Sequence, residues 1–326
     1  MELIMNYITE ENSILQALRK KRILIIGGLG FIGRWIIQTA LECNAVVTVM
    51  DRSRGRLDLS SVEVIPEDVM SSSRLQSIVD NSDFVIHLAG SLGTDSTFAD
   101  LHVTALNNVV ATAKVIECCL KAKRRTLIPT VANDWLNPYT ITRRCAADLA
   151  IMANAECDGD FRIMKVMNAY GAWQAYSHTH KLIPVLFRQC FLGEEISIYG
   201  DGNQCVDLIH ARDVADAFLR TCVVDDIPRD RYIEVGTGIP YRVLEVVGFV
   251  QDIVGSKAPV RLVGKRRGEP LHAITLATND YLSTATGFNP QIKLEEGLRD
   301  TMQWYQKHPS YLGIRLEQGC WTAEAK

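Results

Sequence analysis

With 326 residues, 35 Lys+Arg against 38 Asp+Glu and a formal net charge of −3, the chain is long enough for about two domains. Its slight acidity argues against nucleic acid as the main partner, and 47% hydrophobic with 22% charged residues is a globular composition that excludes bulk disorder. No apolar stretch approaches the ~18 residues of a membrane span, and residues 1–22 carry charges inside their apolar part, so the expectation is a cytoplasmic protein with no signal peptide and no membrane partner.

In chain order, residues 9–20 read as a short amphipathic helix with Thr9 as N-cap. From Arg22 the apolar run RILIIGG, ended by glycines, has the pattern of a parallel strand buried on both faces. A helix from Phe31 to Leu41 and a strand over 45–51 follow, then strand candidates at 62–69, 83–90 and 125–130, with a helix over roughly 103–121 between the last two. Asn137-Pro138 opens a further helix, Asn as N-cap and Pro at the first helical position, and 161–168 reads as a sixth strand. Alternating strands and helices point to right-handed βαβ units and a doubly wound parallel α/β sheet. Beyond Ala169 the Gly and Pro punctuation is denser and the elements shorter. The division expected is a helical extension over 1–20, a dinucleotide-binding domain over 21–168, and a mainly substrate-binding domain over 169–326 with some segments returning to the first sheet.

The nine cysteines are odd in number and contain no CxxC, so reduced, mostly buried thiols are expected; no HExxH or Cys/His cluster suggests a metal. Lys121 to Arg125 is read as cations at a helix C-terminus. His87 is read as a core residue and Trp135 as a packing residue.

Gly27-Gly28-Leu29-Gly30-Phe31-Ile32-Gly33 stands between the first strand and its helix. Glycine suits a turn that must bend sharply and approach a pyrophosphate, which the helix N-terminus then attracts. Asp51 ends the second strand 18 residues after Gly33, where a carboxylate can bind adenosine ribose hydroxyls. A carboxylate there favours NAD; Arg52, Arg54 and Arg56 leave NADP as the alternative.

These residues resemble the extended short-chain dehydrogenase/reductase family of nucleotide-sugar epimerases and dehydratases, from Arg22 to about His308. GGLGFIG is similar to the family's GGxGFIG, Asp68-Val69 to the pair placed against adenine, and His87-Leu88-Ala89-Gly90 to the HLAA strand end beside the cofactor. Asn108 falls on the Asn of NNVxGT, with Ala111 where Gly is usual. Asn168-Ala169-Tyr170-Gly171 resembles NxYG, residues 198–204 resemble yGdGxQ, Arg267-Gly268-Glu269 resembles RxGE, and 295–305 the closing helix. The resemblance implies a Rossmann-type doubly wound sheet with a smaller C-terminal α/β substrate domain. It also implies a bound dinucleotide lined by Gly27, Gly30, Phe31, Ile32, Gly33, Asp51, Arg52, Asp68, Val69, Leu88, Ala89, Gly90 and Asn108, with Tyr139 and Arg143 beside it. Relatives commonly pair two copies through helices corresponding to 103–121 and 138–156, so a homodimer is expected.

The resemblance further assigns Tyr139 as acid/base, since it occupies the Tyr of YxxxK, with Thr130 holding the reacting oxygen. The usual Lys is Arg143, four residues on and on the same helix face. A phenol with a pKa near 10 needs a nearby cation to ionise at neutrality, and Arg supplies charge but not the compact ammonium that bridges ribose hydroxyls. Val131-Ala132 after Thr130 cannot move protons, which disfavours dehydration and leaves epimerisation or ketone reduction. Thr130 and Tyr139 are nine residues apart where the family has roughly two dozen, so a covering loop is missing and a more open pocket is expected. Val206 replaces a phosphate-binding Arg, leaving Asn168 and Arg267 as substrate-binding candidates, with a nucleotide sugar as the leading substrate class. The competing reading is a catalytically degenerate dinucleotide-binding regulator or scaffold.

Overall fold

The computed structural model describes residues 13–53, 61–177, 179–270, 272–317 and 319–324. Strands β1 (Arg22–Ile26), β2 (Val46–Met50), β3 (Glu63–Ile65), β4 (Phe84–His87), β5 (Arg125–Val131) and β6 (Phe161–Val166) alternate with helices α1 (Ser13–Gln16), α2 (Phe31–Glu42), α3 (Leu75–Asp80), α4 (Leu101–Ala105), α5 (Ala111–Ala122) and α6 (Pro138–Glu156). After β6 come β7 (Asn168–Tyr170), α7 (Leu182–Leu192), β8 (Ile196–Tyr199), β9 (Cys205–His210), α8 (Ala211–Val223) and β10 (Tyr232–Val235). The main sheet is parallel throughout, in the order β10-β6-β5-β4-β1-β2-β3. The chain builds outward from β1 to β3, then returns to lay β4 on the other side of β1. That reversal opens a crevice at the carboxyl ends of β1 and β4, where ligands bind in open α/β sheets.

The core explains why β1 reads as a continuous apolar run. Ile23 and Ile25 pack into one layer with Trp35 and Ile36 of α2 and Val214 and Phe218 of α8. Leu24 and Ile26 point the other way, into a layer with Val115 and Ile116 of α5 and Ala147 and Ala150 of α6. Both faces of the strand are therefore covered, as a parallel sheet requires. A third core, around Tyr170, Phe187 and Tyr305, belongs to the later part of the chain. There β9 pairs with β7 and with the short strands Pro240–Arg242 and Ile274–Thr275, and β8 pairs with Val260–Val263. β10 meanwhile returns to the edge of the main sheet.

Several elements are shorter than their sequence patterns. The candidate at 62–69 pairs only over Glu63–Ile65, because Pro66 has no N–H to give the ladder. At 83–90 pairing stops at His87, and Leu88 to Gly90 leave the sheet to line the crevice. The 161–168 candidate splits, β6 staying in the main sheet while Asn168 starts β7 in another. Of the helix read at 9–20, the described part is α-helical over Ser13–Gln16, and residues 9–12, Thr9 among them, lie outside the described residues. The helix read at 103–121 is α4, one π-helical turn (Leu106–Val110) and α5 in succession. By length and mean hydropathy this 22-residue stretch, Leu101–Ala122, is apolar enough to cross a membrane, contrary to the expectation above. Its apolar side chains have another use, since Val115, Ile116 and Cys119 are buried against the sheet.

Candidate functional site

The turn after β1 is built by absent side chains. Gly27 has φ +81°, and a Cβ there would lie 2.6 Å from the Ala89 backbone nitrogen. A Cβ on Gly33 would lie 2.5 Å from the Gly28 carbonyl oxygen, so α2 can start against the turn only with glycine at that point. Phe31 and Ile32 open α2, partly buried against the core, and Gly30 is its exposed N-cap residue, which leaves the first amides of the helix facing the crevice. Asp51, at the end of β2, accepts hydrogen bonds from the Leu29 amide (3.0 Å) and the Ser53 amide (2.9 Å). Its carboxylate thus fixes the turn while keeping further acceptor capacity. Arg52 is exposed; Arg54 and Arg56 lie outside the described residues.

Around the crevice the other expected residues take definite places. Asp68 accepts from the Met70 amide (2.7 Å), and Val69 is buried. The Lys114 ammonium pins that loop by donating to the carbonyls of Val69 (2.8 Å), Met70 (2.8 Å) and Ser72 (3.2 Å). Leu88 and Ala89 follow β4, their amides donating to the Ile26 carbonyl at 2.7 and 3.1 Å. Asn108, fully buried in the π turn, accepts from the Ser91 amide (2.7 Å) and donates to the Ser91 carbonyl (3.3 Å) and to Thr142 Oγ1 (2.9 Å). It therefore ties the loop after β4 to α6.

α6 begins as its sequence dictates. Asn137 Oδ1 accepts from the Thr140 amide at 2.9 Å, with Pro138 at the first helical position. One helical turn apart, Tyr139 and Arg143 meet at the crevice. Arg143 is 4% exposed, and burial lowers its guanidinium pKa against the opposing influence of the Tyr139 hydroxyl. Its Nη1 is buried with no hydrogen-bond partner among the described residues, as is Oγ1 of Thr130 on β5. Two unmet polar atoms, one on α6 and one on β5, are what a bound ligand would complete. His87 lies wholly inside, its Nε2 3.0 Å from Thr112 Oγ1. Burial first, and the Arg143 charge second, hold its pKa down to about 3, so it packs as a neutral ring.

Toward the substrate end, Lys181 precedes α7 and carries its ammonium 5.8 Å from the centre of the Tyr139 ring. Arg267 is exposed and stacks on Phe98, 3.9 Å from the ring centre. Its neighbour Arg266 is turned inward, bound to Glu269 (3.2 Å) and to the Thr179 carbonyl (3.3 Å). Burial pushes the Glu269 carboxyl up, opposed by Arg266 and Lys181. In the spacing of RxGE the arginine two before glycine is Arg266, so this residue was overlooked although the pattern contains it. Lys181 had no motif to mark it. Asn168 is exposed, and its amide donates to the Asp207 carbonyl at 3.3 Å. Where a long covering loop is missing, the segment over 264–270 crosses the short connection instead: Asn137 Nδ2 donates to the Gly268 carbonyl at 3.2 Å.

Comparison with known proteins places this geometry. The family model described as "NAD dependent epimerase/dehydratase family" matches residues 23–236. The UDP-N-acetyl-alpha-D-glucosaminuronate decarboxylase of Bacillus cytotoxicus is 24% identical, over 88% of this chain and 98% of its own. The epimerase Mth375 of Methanothermobacter thermautotrophicus superposes with a TM-score of 0.86 at 17% identity, over 92% of this chain and 96% of its own. MoeE5, solved with UDP-glucuronic acid and NAD, has a TM-score of 0.78 and 26% identity, over 88% of this chain and 99% of its own.

Proposed function

The chain belongs to the NAD-dependent epimerase/dehydratase family, and from that membership we propose that it binds NAD and reversibly oxidises a hydroxyl carbon of a nucleotide-activated sugar. The observation that carries this reading is the pairing of Tyr139 with buried Arg143 at the crevice, where Nη1 of Arg143, like Oγ1 of Thr130 near the end of β5, lacks a hydrogen-bond partner among the described residues. The residues present fit the cofactor: glycines leave room that a Cβ would fill at positions 27 and 33, and Asp51 ends β2 beside the turn. When bound, NAD supplies the acceptor and donor for the hydrogen removed from carbon. Tyr139 takes the proton from the sugar hydroxyl and returns it. Thr130 Oγ1 holds the reacting oxygen, and Arg143 sets a permanent positive charge beside the phenol. Gly27, Gly30 and Gly33 with the start of α2 hold the pyrophosphate, and Lys181 and Arg266 supply positive charge at the sugar end.

Epimerisation or ketone reduction is the finer reading, supported by Val131-Ala132 after Thr130, neither of which can move a proton. Relatives of other outcomes exist, a decarboxylase among them, so products decide. The purified protein with NAD is incubated with UDP-glucose, UDP-glucuronic acid and UDP-N-acetylglucosaminuronic acid, and sugars and released CO2 are analysed. An epimer without CO2 is expected; CO2 from a uronic acid would replace epimerisation with decarboxylation. Tyr139→Phe is expected to lower turnover at least ~100-fold, and unchanged turnover would remove the mechanism.

A further inference from the structure

We propose that Gly90 and Arg143 are a coupled pair: the absence of a side chain at 90 is the space in which the guanidinium at 143 sits, and this is what lets an arginine serve beside the phenol. The inference rests on the reading above that the crevice takes NAD. A Cβ built on Gly90 would lie 2.5 Å from Nη2 and 2.9 Å from Cζ of Arg143, and 2.6 Å from Oδ1 of Asn108. Neither neighbour has room to yield. Arg143 is enclosed, and Asn108, fully buried, is committed through both ends of its amide to Ser91 and Thr142. The guanidinium is thereby held with Nη2 against the backbone at 90, while buried Nη1 has no acceptor among the described residues.

A planar guanidinium is broader than an ammonium. With any side chain at 90 it would have to swing out of the crevice or displace Asn108, which secures the loop after β4. Gly90 is thus a positioning residue that acts through Arg143, keeping the Nη1 donor in the crevice for the cofactor. Gly90 also has φ +155°, a conformation that by itself favours glycine, and a double-mutant cycle separates the two causes.

Binding of NADH is measured by fluorescence titration for the wild type, Gly90→Ala, Arg143→Lys and the double variant, with thermal melting of all four. Expected is a loss of at least ~10-fold in NADH affinity for Gly90→Ala made in the wild-type chain, and a loss at least ~3-fold smaller when the same change is made in the Arg143→Lys variant, whose slimmer ammonium removes the contact with position 143 and leaves only that with Asn108. If Gly90→Ala fails to fold but the double variant folds, the coupling is read from folding and the proposal stands. Equal losses in both backgrounds, or failure of both alanine proteins to fold, would assign the glycine to backbone conformation and overturn it. If the wild type binds no NADH, the cofactor reading falls, and the four melting midpoints still decide whether 90 and 143 are coupled.

Discussion

His87 and His210 are buried residues whose pKa values burial depresses, each to about 3. Their folded-state values lie below the ordinary histidine value of about 6.5, so each takes up a proton on unfolding once the pH falls under that value. Their contribution to stability is therefore full above about pH 6.5 and is lost as the pH falls toward 3. Each histidine contributes a slope of about 1.4 kcal/mol per pH unit within that window, or about 2 kcal/mol by pH 5. His87→Asn removes one of the two. In urea unfolding between pH 7 and 5, its stability is expected to fall less steeply than that of the wild type by about one proton; parallel slopes would show that His87 is not held neutral. At this scale the sequence was informative about identity and poor on contact. His87 was legible as a core residue from its place in an apolar strand, and the meeting of Tyr139 with Arg143 from their four-residue spacing on one helix. That Gly90 meets Arg143 could not be read, because the two are 53 positions apart and only the return of α6 to the crevice joins them.

Among the elements, α6 shows how one cap fixes two things. Asn137 is buried; its oxygen caps the helix and its nitrogen holds the carbonyl of Gly268, 131 residues later. Asn137→Ala removes both bonds and is expected to cost about 1–2 kcal/mol, seen as a melting point lower by about 2–4 °C. Asn137→Asp keeps the oxygen but not the donor. It should melt near the wild type yet be cut faster by trypsin at Lys265, Arg266 and Arg267, and resistance equal to the wild type would show that the segment over 264–270 is held by other contacts. The cap was readable from Asn-Pro, because capping is local chemistry. Its second bond was not, nor the end of β4 at His87, where only the neighbouring strand decides whether the ladder continues. The π turn at Leu106–Val110 left no sequence signal, although it places Asn108 under the loop after β4.

For the whole molecule, α4 to α6 leave apolar side chains uncovered: Leu101 and Val103 of α4, Val110 in the π turn, and Ile141 and Met152 of α6. We expect two copies to pair there. Sedimentation should give a dimer for the wild type and a folded monomer for Val110→Asp with Ile141→Asp, whereas a wild-type monomer would exclude the pairing. The order of the main sheet was foreshadowed by alternating strand and helix signals, since covering both faces of parallel strands permits few arrangements. The smaller sheets were not, since strands as brief as Ile274–Thr275 exist only through their partners. Arg143 finally bears on how such a protein works over time. A permanent cation walled off from water, with one terminal nitrogen unanswered among the described residues, disfavours the protein without its coenzyme. On our reading the coenzyme would then stay aboard from one turnover to the next. Throughput would follow the supply of sugar and be indifferent to the surrounding balance of oxidised and reduced nicotinamide.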